Sequence, residues 1–197
     1  MSDLPYRARL IRHYALYWGE AVNPSEFLFE IDSKVGRIQV YKFRPESTEQ
    51  DWVYATVGAS MEEMHVPNDM VALFATRFEL FVYSRHEVDA LADAIAKMAI
   101  YPFVHKTYFD VGHTVMGTHG VIPDSHLTDF LILPPLFENS QLRLIHLDDD
   151  THVRILWAIP VTRSEREYAS SQGWRALVKA FDDNETDTSD FFRDSLI

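Results

Sequence analysis

Apolar and polar residues follow one another along this chain with two different periods, and each change of period marks an element. Between residues 6 and 18, Leu10, Ile11, Tyr14, Leu16, Tyr17 and Trp18 stand among Arg7, Arg9 and Arg12, a spacing that gathers the apolar groups mostly on one helical face. Two β-rich runs follow, Phe27 to Asp32 and Ile38 to Phe43. Ser33-Lys34-Val35-Gly36 between them reads as a hairpin in which Gly36 supplies the turn geometry. Trp52 to Val57 continues the sheet. Gly58 to Met70 mixes Gly, Pro, Asn and Asp without a period and reads as a loop before the strand Phe78 to Tyr83.

Ser84-Arg85-His86-Glu87 has the spacing of a capping box, in which a serine hydroxyl and a glutamate carboxylate satisfy amides left free at a helix start. Val88, Leu91, Ala92, Ile95 and Met98 then recur at helical spacing, and Pro102 is expected to close the run. Thr114 to Met116, Phe130 to Leu133, Gln141 to Leu147 and Val153 to Ile159 read as strands, the last two joined as a hairpin through Asp148-Asp149-Asp150-Thr151. A second helix starts at one of two overlapping boxes, Thr162 with Glu165 or Ser164 with Glu167. Gly173 interrupts it, and Trp174, Leu177, Val178 and Phe181 resume a short helix behind. Strands before, between and after helices, without regular alternation, predict an α+β fold: a mainly antiparallel sheet with flanking helices. The chain shows no internal repeat and no linker, so a single domain over residues 1–181 is expected. Residues 182–197 carry six acids and one arginine and read as a loose acidic tail whose Phe191-Phe192 docks locally.

Composition narrows the function. An apolar share of 47% supplies a substantial core, which excludes a disordered chain. With no cysteine, disulfides, thiolate metal sites and cysteine nucleophiles are all unavailable. A formal net charge of −12 repels phosphate backbones, so nucleic acid is not an expected partner, whereas a basic protein would be steered toward the surface. The N-terminal residues lack an uninterrupted apolar stretch behind a basic start, and no segment reaches the ~18 apolar residues that span a bilayer. A cytoplasmic protein without membrane attachment is the expectation.

The candidate chemistry is sparse. His105, His113, His119 and His126 fall close together with Asp110 and Asp124, the raw material for a metal-dependent hydrolase. Their spacing matches neither HExxH nor any pair of histidines at i and i+4 around a glutamate, so no metal site is assigned. Asp148-Asp149-Asp150 lacks the glycine and terminal glutamate of a calcium loop and reads as a solvated turn. Ser125-His126 and Ser84 with His86 are sequence neighbours without a nucleophile elbow, and Glu62-Glu63 are adjacent carboxylates that would diverge on any regular element. No glycine-rich phosphate loop is present, and no cofactor or catalytic residue is assigned. Tyr101, Phe103, Tyr108 and Phe109, interleaved with His105, Lys106 and Asp110, form an aromatic cluster that is either core or a surface anchoring a partner.

Several pieces, taken in order, resemble one family. They are Glu79-Leu80-Phe81-Val82, the helix closed by Tyr101-Pro102, Gly112-His113-Thr114-Val115, Phe130 to Pro135, Ile159 to Glu165, and Gly173 followed by Leu177. Together the pieces span about half the chain, and the family they resemble is the suppressor-of-fused domain. The resemblance implies a noncatalytic protein that captures partner peptides by strand addition near Tyr101, Phe109, Asp110 and His113. Gly112 stands where the animal pattern has an acidic residue before the histidine. Short bacterial relatives are similar to immunity proteins of polymorphic toxin systems, so the resemblance implies a basic toxin domain as partner. A regulatory scaffold with a non-toxin partner is the alternative within the same class.

Overall fold

The computed structural model describes residues 5–47, 50–68, 75–117, 119–148 and 151–197. Asp149 and Asp150 of the acidic turn, and Asp69 and Met70 at the end of the loop expected from Gly58, lie outside these residues. The elements run α1 (Tyr6–Trp18), β1 (Ala21–Leu28), β2 (Arg37–Phe43), β3 (Trp52–Val57), β4 (Arg77–Ser84), α2 (Asp89–Val104), β5 (Thr114–Val115), β6 (Asp129–Leu133), β7 (Leu144–His146), β8 (His152–Val161), α3 (Arg163–Gln172) and α4 (Trp174–Asp183). Eight strands form one sheet in the order β1-β2-β3-β4-β8-β6-β5, with β7 pairing β8 off that path. Every pair is antiparallel except β4 with β8, which runs parallel from Arg77 opposite Val153 to Phe81 opposite Trp157. This is the expected α+β single domain.

Period-2 alternation gives the sheet two apolar faces. Phe78, Leu80 and Val82 of β4 join Leu156 and Ala158 of β8 beneath Leu91, Ile95 and Ala99 of α2. Phe81 and the alternate residues Val153, Ile155, Trp157 and Ile159 face the other way. There they meet Leu10, Tyr14 and Trp18 of α1 and Leu177 and Phe181 of α4. Each such large side chain, fully buried, contributes about 1.5–3 kcal/mol. Glu79 interrupts the apolar alternation of β4. Its buried carboxylate accepts from Thr56 Oγ1 at 2.7 Å, Gly58 N at 2.8 Å and Ser60 N at 3.0 Å, which ties β4 to the 3-10 turn Ala59–Met61. Tyr14 adds a hydroxyl donated to the Thr56 carbonyl, 3.0 Å away.

Several local expectations differ from the structure, among them the strand expected over Gln141 to Leu147, which is a 3-10 turn (Ser140–Arg143) followed by β7. α2 begins at Asp89 behind Val88, with no side-chain cap. Ser84 instead ends β4 opposite Trp52, and its hydroxyl donates to the His86 carbonyl at 2.7 Å. Glu87 pairs with Lys42 at 2.6 Å. The helix also runs past Pro102, which sits inside its last turn, to Val104. The β1–β2 connection is longer than a four-residue turn, since β1 ends at Leu28. Gly36 is required there for close approach: a Cβ would stand 3.0 Å from the Phe29 carbonyl oxygen. At α3 the register resolves to Thr162 with Glu165, where both halves of the capping box are formed. Gly173, at φ +87°, then separates α3 from α4.

Residues 187–197 lie against the domain. Phe191 is buried in the α2-side core while Phe192 stays exposed. Arg85 N donates to the Ser189 carbonyl at 3.1 Å, and Arg85 forms an ion pair with Asp187. No helix among the described residues is long and apolar enough to cross a membrane.

Candidate functional site

β5 is the last strand of the sheet, so among the described residues its outer edge carries no neighbour. Its inner edge is set by Thr114 opposite Leu131 and Val115 opposite Phe130. The approach to it is braced by Gly112 N donating to the Ile132 carbonyl at 2.7 Å and by Ile132 N donating to the His113 carbonyl at 2.8 Å. Hydrogen bonding alternates along an antiparallel strand, so with His113 turned to β6 the amide and carbonyl of Thr114 face outward. An unpaired strand edge is a template for another strand.

Beside this edge runs a groove of about 360 Å³ between α2 and the segment that precedes β6, with Lys97, Met98, Tyr101, Met116 and His119 on its walls. Met116 is 70% exposed, an apolar side chain placed where an added strand would lie. A single methionine at the end of a short expected strand carries no periodic signal, so the sequence alone does not mark it as a contact.

The structure brings the four residues singled out from the sequence into one region behind α2 and gives them different roles. Phe109 belongs to the core: it is 2% exposed, its ring meets Phe78 edge-on at 5.3 Å, and its amide donates to the Met64 sulfur at 3.1 Å. It is therefore not itself a surface anchor. Tyr101, half-buried, stacks on Phe109 with ring centroids 6.0 Å apart and on the other side lies 4.2 Å from the His105 ring. Asp110 is engaged internally, accepting from Arg154 Nη2 at 2.8 Å and from Val111 N at 2.8 Å. His113 closes a tight turn with it: His113 N donates to the Asp110 carbonyl at 3.1 Å, and Asp110 N donates to His113 Nδ1 at 3.2 Å. Tyr108 packs on the His113 ring at 5.2 Å. The arrangement fixes Tyr101 and His113 as partly exposed rings on a rigid base.

Among the described residues, no three His, Cys, Asp or Glu side chains converge as metal ligands would. His113 is instead held by Asp110 and Tyr108.

Fold and edge together define a single-domain α+β sheet protein with a free terminal strand. The family profile described as suppressor of fused protein (SUFU) matches residues 34–194, and the chain belongs to that family. Its fold is similar to that of a suppressor-of-fused homologue from Neisseria gonorrhoeae, with a TM-score of 0.74 at 22% identity, covering 98% of this chain and 97% of that one. It is also similar to a chain of the Sufu–Fu complex, with a TM-score of 0.68 at 15% identity, covering 98% of this chain and 92% of that one. Drosophila Suppressor of Fused gives a TM-score of 0.69 at 16% identity, with all of this chain aligned to 52% of that one. No curated protein matches the sequence.

Proposed function

We propose that this protein is a noncatalytic binding domain that holds a protein partner as an added strand on β5. We further propose that it acts in the cytoplasm as an immunity protein against a toxin of a bacterial polymorphic toxin system. The observation that carries the first part is the open β5 edge, with an outward amide and carbonyl at Thr114 and an apolar groove alongside. Main-chain bonds supply affinity in such complexes, and pockets for alternate side chains supply specificity. Tyr101, Met116 and the His113 ring are the proposed contacts. Phe109 supports Tyr101 from beneath, and Asp110 holds the His113 turn. The crystallised Sufu–Fu complex, in which a family member binds another protein, supports protein binding here. The net charge of −12 favours a basic partner, here a basic toxin domain.

Co-expression with candidate toxin domains from the native organism tests the biological role, and protection of the cells against one of them is the expected result. Binding kinetics on the purified pair test the surface. Thr114→Pro removes an N–H that the sheet does not use, a change tolerated on edge strands, and is expected to raise the dissociation rate on the order of tenfold or more. Met116→Ala should do the same without loss of stability, and Tyr101→Ala should do so with a modest loss of stability from its packing on Phe109, read separately by a denaturant melt. Unprotected cells count against the immunity role, and unchanged kinetics for all three variants count against the β5 site.

A further inference from the structure

On the opposite face of the sheet, two adjoining hollows of about 510 and 610 Å³ share Phe137, Trp157, Thr186 and Thr188 as common walls. Phe137 forms the ridge between them. It is 80% exposed, unusual for a phenylalanine, and its ring meets Trp157 edge-on at 5.6 Å. The two hollows differ in chemistry.

The first is walled by aromatic faces, among them Trp18, Tyr83 and Trp157, and by the carboxylates of Glu46, Asp51 and Glu138, while the fourth acid of the wall, Asp187, pairs with Arg85. Glu138 is held in place by two neutral donors, the Trp18 indole N–H at 2.9 Å and the Tyr83 hydroxyl. Among the described residues none of these three carboxylates is in an ion pair. The one cation in the wall, Arg44, has its guanidinium over the Trp52 ring at 5.5 Å. Burial lifts the Asp51 carboxyl above its ordinary range, with the Asp187 charge adding to the shift and Ser189, Arg85 and His86 opposing it. Aromatic faces beside oriented carboxylates are the chemistry that receives a guanidinium or ammonium group. The second hollow is lined by Leu136, Ile159, Trp174, Val178 and Phe181 and is suited to an apolar side chain; of its charged walls, Arg175 lies over the Trp174 ring, Lys179 pairs with Asp183, and Asp182 and Glu185 add two acids.

We propose that the two hollows form one docking groove for an extended basic segment of a protein partner, which sets an arginine or lysine against Glu138 and Asp51 and an apolar side chain beyond Phe137. The groove deepens the protein-binding reading and rests on it, but it uses the face of the sheet opposite α2 rather than the β5 edge. The chain's excess of acids draws a basic segment toward this face, and the aromatic walls hold it once there.

Titration of the intact protein with the peptide acetyl-Arg-Gly-Leu-Phe-amide, and with its citrulline counterpart, tests this. The readout is the tryptophan indole N–H and backbone amide resonances in a two-dimensional NMR spectrum. Trp18, Trp157 and Trp174 line the groove, and the Thr114 amide on the β5 edge stands away from it as a control. The expected result is that the arginine peptide shifts Trp18, whose N–H is bonded to Glu138, along with Trp157 and Trp174, while the Thr114 amide stays in place. The citrulline peptide should bind more weakly on the order of tenfold, and Phe137→Ala and Asp51→Asn should each weaken the arginine peptide by several-fold. Equal binding of the two peptides, an unmoved Trp18 resonance, or indifference to both substitutions would overturn the groove. A captured partner that binds Phe137→Ala and Asp51→Asn as tightly as the parent protein would also remove the groove while leaving the protein-binding reading intact. A peptide response without any protein partner would do the reverse.

Discussion

Arg193 closes on Glu165 as a bidentate buried ion pair, Nη1 to Oε1 at 2.6 Å and Nη2 to Oε2 at 2.8 Å, with the carboxylate fully excluded from solvent. Glu165 is also the N3 residue of the α3 capping box, accepting from Thr162 N at 2.9 Å, and it accepts from Leu196 N at 3.0 Å. One carboxylate thus joins the start of α3 to the end of the chain. The guanidinium further lies over the Phe181 ring at 5.0 Å, so α4 is tied into the same latch.

Arg193→Met is expected to cost about 3–5 kcal/mol, because it strands a buried carboxylate without its cation. Combining it with Glu165→Gln should restore part of that loss, since no uncompensated charge remains. Denaturant melts of the two variants beside the parent protein check this; equal losses for single and double variant would mean that the pair contributes through packing alone.

The same latch sets a pH dependence. Burial alone would raise the Glu165 carboxyl, but the Arg193 guanidinium and the Leu196 and Thr162 amides outweigh it, and the net effect is a pKa below the ordinary 4.5. A carboxyl depressed in the folded state contributes stability above its unfolded pKa and loses that contribution as pH falls through the folded value. The stability gap between the parent protein and Glu165→Gln/Arg193→Met should therefore be constant near neutrality and narrow below about pH 4. Melts over a pH series read it directly.

Helix capping separates the two candidate boxes. Thr162→Ala should destabilise by about 1 kcal/mol, the usual cost of a lost N-cap. Glu87→Ala should cost less than about 1 kcal/mol, since it removes only a partly exposed ion pair to Lys42. Equal, large losses at both would contradict the helix start at Asp89.

Gly112 has φ +88°, and a Cβ there would stand 2.3 Å from Trp174 Cδ1. Gly112→Ala should destabilise by about 1–3 kcal/mol through backbone strain and overpacking combined. A thermal melt within error of the parent protein would show that the α4 ring yields freely.

Much of the fold is legible in the sequence where one local signal dominates. The period over residues 6–18 gives α1, and Trp52 to Val57 gives β3 to the residue. The Ser84 box misleads because its residues also suit a strand: β4 continues to Ser84 against β3, and only then does the chain turn. The parallel pairing of β4 with β8 leaves no trace in either segment, since paired residues such as Arg77 and Val153 lie far apart in sequence and both segments read simply as buried strands. Tyr101 and Phe109 are indistinguishable by pattern, and it is Phe78 and Met64, distant in sequence, that bury one ring while the other stays partly open. The acids of residues 182–197 suggest a loose segment, whereas its one arginine meets a buried acid. Phe137, a lone aromatic behind Pro134-Pro135, carries no periodic signal, and the hollows around it exist only once β8 and α4 are brought together.

The most direct test of the central claim is amide hydrogen exchange on this protein with and without its captured partner. The Thr114 and Met116 amides should exchange freely in the isolated protein and become protected in the complex, as they would on gaining a neighbouring strand. A tight complex in which both amides keep their free exchange rates would contradict strand addition at β5.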